Sequence, residues 1–256
     1  MGGRWREFAY QVRGKSHVLD GKPGQDRFRY ESRSGVQVLC LADGAGSAKL
    51  AEHGAQAVVA AGCDFIVDLF ESGRGWRGNL DGNALHAHLI EKLNGTAARI
   101  GCELKDLAST FLCVAVTEEF FVAAQIGDGV IGAERDGELE LVTLPDNGEF
   151  PNVTTFVTSK NAVPSMQITK GELDGYNGFI LMSDGTAESL YNYERRVLAR
   201  ACRTLFRIIS DAPTYAVANP AYKKELKRVM DLQIREGTDD DCSIGILARS
   251  TRVVGA

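Results

Sequence analysis

The sequence predicts an α+β fold, an α-β-β-α sandwich of two mainly antiparallel sheets flanked by helix pairs. Three observations point there. Short runs rich in β-branched and apolar residues come in clusters separated by Gly-bearing turns. Two pairs of helix-period stretches interrupt those clusters, so helices pack on the outer faces of the sheets. Acidic residues end strands near both the beginning and the end of the sequence, so they most simply share one site in one domain, residues 1–256.

Taken in order, Phe28–Tyr30 and Val36–Ala42 are β-prone, with a Ser34-Gly35 turn between them. A helix is expected over about Ala51–Leu69, where Ala55, Val58, Val59, Gly62, Phe65, Ile66 and Leu69 recur at three and four. A Gly-rich loop, Gly73–Gly82, follows. Asn83 is the expected N-cap of a second helix reaching about Gly101, with Leu85, Leu89, Leu93 and Ile100 as its apolar stripe. A β-meander comes next, over Ala108–Val116, Phe120–Ile126, Val130–Glu134 and Leu139–Leu144, and Asp136-Gly137 is a two-residue hairpin signal. Residues 145–177 read as loops around a strand at Thr154–Thr158. Gly178–Ser183 is a short strand, helices are expected over Tyr193–Ser210 and Pro220–Glu236, and Cys242–Ala248 is the final strand.

The 256 residues are 44% hydrophobic and 25% charged, the balance of an ordinary globular chain. A net charge of −5 gives no electrostatic case for nucleic acid or an anionic membrane as partner. No apolar stretch reads as long enough to span a bilayer, and Met1–Phe8 lacks a signal-peptide core, so the expected location is cytoplasmic. Cys40, Cys63, Cys102, Cys113, Cys202 and Cys242 form no Cys-x-x-Cys pair. They read as small buried residues in a reducing compartment rather than zinc ligands. The four histidines, His17, His53, His86 and His88, are scattered, with His86 and His88 expected on a solvated helix face.

Five acidic positions carry the chemistry. They are Asp26 in Gly-Gln-Asp-Arg-Phe, Asp43 in Leu-Ala-Asp-Gly-Ala-Gly-Ser, Asp128 in Ile-Gly-Asp-Gly, Asp184 in Met-Ser-Asp-Gly-Thr, and the run Asp239-Asp240-Asp241. A single Asp-Gly marks a turn. Several carboxylates gathered at one sheet edge repel one another, and cations offset that repulsion. An oxygen-only ligand set suits Mg²⁺ or Mn²⁺. No Ser-His-Asp or Cys-centred signature is present, and Gly-Ala-Gly-Ser after Asp43 lacks the Lys-Ser/Thr ending of a phosphate-binding loop.

In order and spacing these motifs resemble the metal-dependent protein phosphatases, the PPM or type 2C serine/threonine phosphatases, and most closely their compact bacterial branch. The resemblance runs from about Gly14 to Ala248. It implies the same α-β-β-α sandwich, two Mn²⁺ or Mg²⁺ ions with a third in many members, and hydrolysis of phosphoserine or phosphothreonine by a metal-activated water. Asp43 would bridge the two ions and the Gly44 carbonyl would be a further ligand. Asp184 would bind the second ion, and Asp26 would act through a water. Asp240 matches the aspartate of the family's terminal Asp-Asn motif, with Asp239 and Asp241 as alternatives in the triplet. Asp128 would join Asp184 at the third ion. The implied catalytic residues are Asp43, Asp184 and Asp240. The implied partners are a phosphoprotein substrate and a cognate Ser/Thr kinase, and the implied state is a monomer.

The chain departs from the family pattern at three places. An Arg that grips the substrate phosphate is absent between Ser16 and Gly24, where His17 or Lys22 are the candidates. Ala45 stands where eukaryotic members carry a His, leaving a water or His53 to protonate the leaving group. Gln25 replaces a common Glu. The segment Asp146–Ala162 falls where the family places a variable flap, a mobile loop able to contact substrate. Two other readings keep the fold: a phosphatase of anti-sigma-factor antagonists, and a catalytically silent scaffold that binds a kinase or phosphoprotein.

Overall fold

The computed structural model describes residues 5–72, 80–146, 154–211 and 221–250. Two five-stranded antiparallel sheets face each other. The first runs in the order β1 (Trp5–Val12), β12 (Cys242–Arg249), β9 (Tyr176–Met182), β6 (Val130–Arg135), β7 (Glu138–Leu141). The second runs β2 (Arg27–Arg33), β3 (Val36–Ala42), β4 (Phe111–Val116), β5 (Phe120–Ile126), β8 (Gln167–Glu172). The predicted sandwich is therefore the observed one.

Period-two alternation explains the layers. Along β3, Leu39 and Leu41 point between the sheets with Leu112, Val114, Phe121, Phe179, Leu181 and Leu247. Val36, Val38, Cys40 and Ala42 point the other way, onto the helices α2 (Ala51–Glu71) and α3 (Gly82–Ile100). On the opposite side, Phe8, Ile180, Ile244 and Ile246 meet α6 (Ala201–Ser210) and α7 (Ala221–Val229) through Phe206, Ile209 and Leu226. Both faces of each central strand are buried, so these strands read as nearly continuous apolar runs.

The two hairpin signals hold. Ser34 and Gly35 have φ of 55° and 78°, and Asp136 and Gly137 have 50° and 81°, the paired left-handed geometry that matches the twist of the flanking strands. Other expectations are corrected. Asp81, not Asn83, caps α3, its carboxylate accepting from Asn83 N–H at 2.9 Å and Ala84 N–H at 3.3 Å. Tyr193 begins no helix, because Tyr191–Asn192 (β10) and Val197–Leu198 (β11) pair as a small hairpin and α6 starts only at Ala201. After Val229 the second expected helix widens into a π turn, Met230–Ile234, then tightens over Arg235–Gly237; Pro220 lies outside the described residues. Thr154–Thr158 is not a strand. The backbone there meets β4's approach through Val157 N–H on the Ser109 carbonyl and turns back on itself where Ser159 N–H donates to the Phe156 carbonyl. β7 stops at Leu141, short of the expected Leu144, and β4 starts at Phe111 rather than Ala108.

Sequence reading missed β1, β8 and the short helices α1 (Lys15–Leu19), α4 (Ala162–Ser165) and α5 (Asp184–Leu190). Most of the loop expected at Gly73–Gly82 lies outside the described residues. Helix α2 is by length and composition apolar enough to cross a membrane, contrary to expectation, with a window of mean hydropathy 1.2. It packs instead as a core helix, half of that window buried against β3, β4 and α3. The six cysteines are free thiols, five of them buried. His86 and His88 are half-buried rather than solvated: His86 Nε2 lies 2.9 Å from the Val157 carbonyl oxygen, and His88 packs on Phe65 with ring centroids 5.5 Å apart.

Candidate metal centre

The acids converge at one end of the sandwich, each delivered by a strand terminus. Asp43 follows β3, and Thr110, just before β4, holds it: Asp43 N–H donates to Thr110 Oγ1 at 2.9 Å, and Thr110 N–H donates to the Asp43 carbonyl at 2.8 Å. Asp26 immediately precedes β2. Asp184 follows β9 and opens α5, where a carboxylate is favoured by the helix dipole; its Oδ1 accepts from Gly185 N–H at 2.6 Å. A Cβ at Gly185 would lie 2.3 Å from the Asp241 carbonyl oxygen, so glycine lets this turn close onto the terminal motif.

Asp128 sits in the β5–β6 turn, which is pinned from inside. The fully buried Gln125 donates to the carbonyls of Gly127 at 3.0 Å, Gly129 at 2.8 Å and Leu144 at 3.1 Å, and accepts from Thr143 Oγ1. The Asp128 carboxylate itself accepts from Thr154 Oγ1.

Electrostatics shows how near these groups are. Asp26 is 2% exposed, and neither carboxylate oxygen has a hydrogen bond of good geometry. Burial, joined by the charges of Asp241 and Asp184, lifts it to about 7 against the stabilising reach of Asp43 and Ser243. Burial also pushes Asp43 well up, reinforced by Asp26, Asp184 and Asp240. Asp184 rises to about 6 through burial and the charges of Asp128 and Asp240, and Asp128 is raised mainly by burial. Among the described residues no three His, Cys, Asp or Glu side chains stand close enough together to hold a metal ion as they are. The acids offer only oxygen donors, the ligand type that a hard Mg²⁺-like ion takes together with waters.

The triplet separates its members. Asp240 is exposed in a cleft of about 730 Å³, lined also by Lys15, Ser16, His17, Glu188 and Asp239, and its charge reaches Asp43, Asp128 and Asp184. Asp241 turns inward, 2% exposed, and accepts from Gly14 N–H at 2.6 Å and from Gln25 N–H, with His17 Nδ1 3.0 Å from its Oδ1. It is a clamp on the loop that carries Asp26. Gly14 is needed there, since a Cβ would come within 2.4 Å of the Asp240 backbone.

A family model described as Protein phosphatase 2C matches residues 13–231. The chain belongs to the protein phosphatase 2C family. Serine/threonine-protein phosphatase 3 of Escherichia coli (strain K12) is 24% identical over 168 residues, 64% of this chain and 66% of that protein, so the match spans just under two thirds of the relative's length. Among solved structures, the catalytic domain of the serine/threonine phosphatase PstP, in complex with two manganese ions, aligns with a TM-score of 0.64 at 19% identity, covering 96% of this chain and 98% of that one. Stp1 from Staphylococcus aureus aligns with a TM-score of 0.63 at 18% identity over 98% and 97%. These neighbours share the fold.

In this phosphatase 2C chain, His17 lines the cleft while Lys22 does not: Lys22 Nζ pairs with Asp20 at 3.3 Å on the exposed side of the loop. Ala45 is buried against Ala48, Ala51, Ala108 and Phe156, a purely apolar contact. His53 is exposed on α2, 3.9 Å from Glu52. Of the expected flap, residues 147–153 lie outside the described residues, and the remainder is anchored by Thr155, Val157 and Ala162, all buried, while Lys160 and Asn161 are exposed. Sequence reasoning missed Gln125, Thr154 and the inward role of Asp241. Gln125 left a signal: it is the one polar residue in Phe-Phe-Val-Ala-Ala-Gln-Ile, a run otherwise suited to burial.

Proposed function

We propose that this chain is a Mn²⁺- or Mg²⁺-dependent phosphatase of phosphoserine and phosphothreonine in proteins. One observation carries the reading. A buried carboxylate without a hydrogen bond of good geometry, Asp26, lies beside Asp43 and Asp184, and all three are raised by burial and like charge. Divalent cations relieve such a set without costing the fold its hydrogen bonds. Asp43, the Gly44 carbonyl, Asp184 and Asp240 would hold two ions, Asp128 with Asp184 a third, and Asp26 would orient a water. When bound, the ions supply positive charge for the phosphoryl oxygens and a water of lowered pKa. His17, which lines the cleft with its Nδ1 on Asp241, would be the candidate to meet a substrate phosphate. The reading carries with it a phosphoprotein partner, a counteracting Ser/Thr kinase, a monomeric state and a cytoplasmic setting.

The test is phosphate release from a phosphothreonine peptide with and without Mn²⁺. Asp43→Asn and Asp184→Asn are each expected to lower metal-dependent turnover by about 10²-fold or more. Folded wild-type protein that turns over no phosphopeptide at any Mn²⁺ concentration would instead support the silent scaffold.

A further inference from the structure

Helix α5, which begins at Asp184, runs directly into the β10–β11 hairpin, so one segment carries both a central acid and this hairpin. The hairpin is anchored at its base. Tyr191 is buried, and Tyr193 packs on it edge to face with ring centroids 4.8 Å apart. Tyr193 itself is 41% exposed and stands close enough to the acids that the charges of Asp184, Asp128 and Glu188 add to burial in raising its phenol. Glu188 also lines the cleft beside Asp240. The hairpin thus follows the cleft-lining Glu188 in the chain and stands near the acids without itself lining the cleft.

Its tip is held in an uphill conformation. Asn192 Oδ1 accepts from Arg195 N–H at 2.7 Å, and Arg196 has φ of 53°, a left-handed geometry uncommon for any residue with a Cβ. The result is a tip on which Tyr193, Glu194, Arg195, Arg196 and Val197 are all exposed. Among the described residues Arg195, Arg196 and Arg200 make no ion pair. Arg29, Arg33, Arg135 and Arg203 each have a carboxylate within 4 Å. Glu194 is the one opposing charge in the turn. In a chain of net charge −5, with Glu188, Glu236, Asp239 and Asp240 around the cleft, uncommitted cations on this hairpin are what an acidic ligand would need to approach.

We propose that the β10–β11 hairpin receives the peptide chain of the substrate, with Arg195 and Arg196 selecting segments that bear acidic residues beside the phosphorylated one. Tyr193 and Val197 supply apolar surface for the peptide backbone. The inference rests on the phosphatase reading and assigns its substrate class.

The test compares two phosphothreonine peptides of one core sequence, one with Asp and Glu flanks and one with Ser and Gly flanks, together with p-nitrophenyl phosphate, all with Mn²⁺. In wild type the acidic peptide is expected to have the lower KM, and raised salt should erase that preference. The double variant Arg195→Glu, Arg196→Glu is expected to lower the acidic-to-neutral ratio of kcat/KM about tenfold, through KM rather than kcat. An unchanged ratio, in a variant with wild-type melting temperature that still turns over p-nitrophenyl phosphate, overturns the role of the hairpin and leaves the phosphatase reading standing. No turnover of any substrate by folded wild type overturns both.

Discussion

Burial and like charge lift Asp26 to about 7 and Asp184 to about 6, both from a usual 3.8. The sign of the stability effect follows from the protons bound. With the native value raised, the metal-free fold holds more protons than the unfolded chain, so this contribution is fully present below about pH 4 and is lost as pH rises through 6 and 7. Asn at position 26 removes one of these charges. At pH 8 metal-free Asp26→Asn is expected to melt roughly 4–8 °C above metal-free wild type, about 2 kcal/mol for a chain of this size, and the gap should shrink toward pH 5. Calorimetry across that range in a chelator checks it; a gap that does not change with pH would remove the argument for Asp26. At this scale the sequence was informative where a single Asp preceded a Gly. It was uninformative in the triplet, because three identical residues carry no register. β12 resolves it: Cys242 pairs with Val12, and the residues just before it turn Asp241 onto Gly14 and Gln25 and leave Asp240 in the cleft.

Elements were legible in proportion to how local their cause is. The two tight hairpins are written in Ser-Gly and Asp-Gly, and α2 and α3 in a periodic stripe. The hairpin at 191–198 was not legible, since Val197, Leu198, Ala201, Cys202 and Leu205 continue a helical spacing across it. What breaks the helix is a side-chain acceptor, Asn192, competing for a backbone N–H. Edge strand β8 was hidden for another reason. Gln-Ile-Thr-Lys-Gly-Glu has the polar, charged character that keeps an exposed edge from pairing with another molecule. The β5–β6 turn depends on Gln125, whose amide bonds three carbonyls. Gln125→Met keeps the volume and strands those acceptors. Urea unfolding should show a loss of about 2–4 kcal/mol, with weaker Mn²⁺ binding by titration calorimetry because Asp128 loses its fixed turn. A variant as stable as wild type would show that the turn holds itself.

At the scale of the molecule, the layering was readable because both outer faces are closed by helices, which forces apolar residues onto both sides of the central strands. The aromatic group between the sheets fixes their spacing: Phe179 stacks with Tyr176 at 5.2 Å and meets Phe121 at 4.9 Å and Trp5 at 5.7 Å. Phe179→Ala is expected to cost about 3–5 kcal/mol by denaturant titration, with the acids at the sandwich end losing their common position. A cost below about 1 kcal/mol would mean that the two sheets are held by other contacts. The strand order has its own consequence for the birth of the protein. β12 lies between β1 and β9 and carries Asp240 and Asp241 at its entrance. On a ribosome it emerges after every other strand described here, so until then β1 and β9 wait as open edges and the acidic row lacks its last members. The nascent chain thus has both an incomplete acidic cluster and edges in need of shelter, and the same late strand ends both conditions at once.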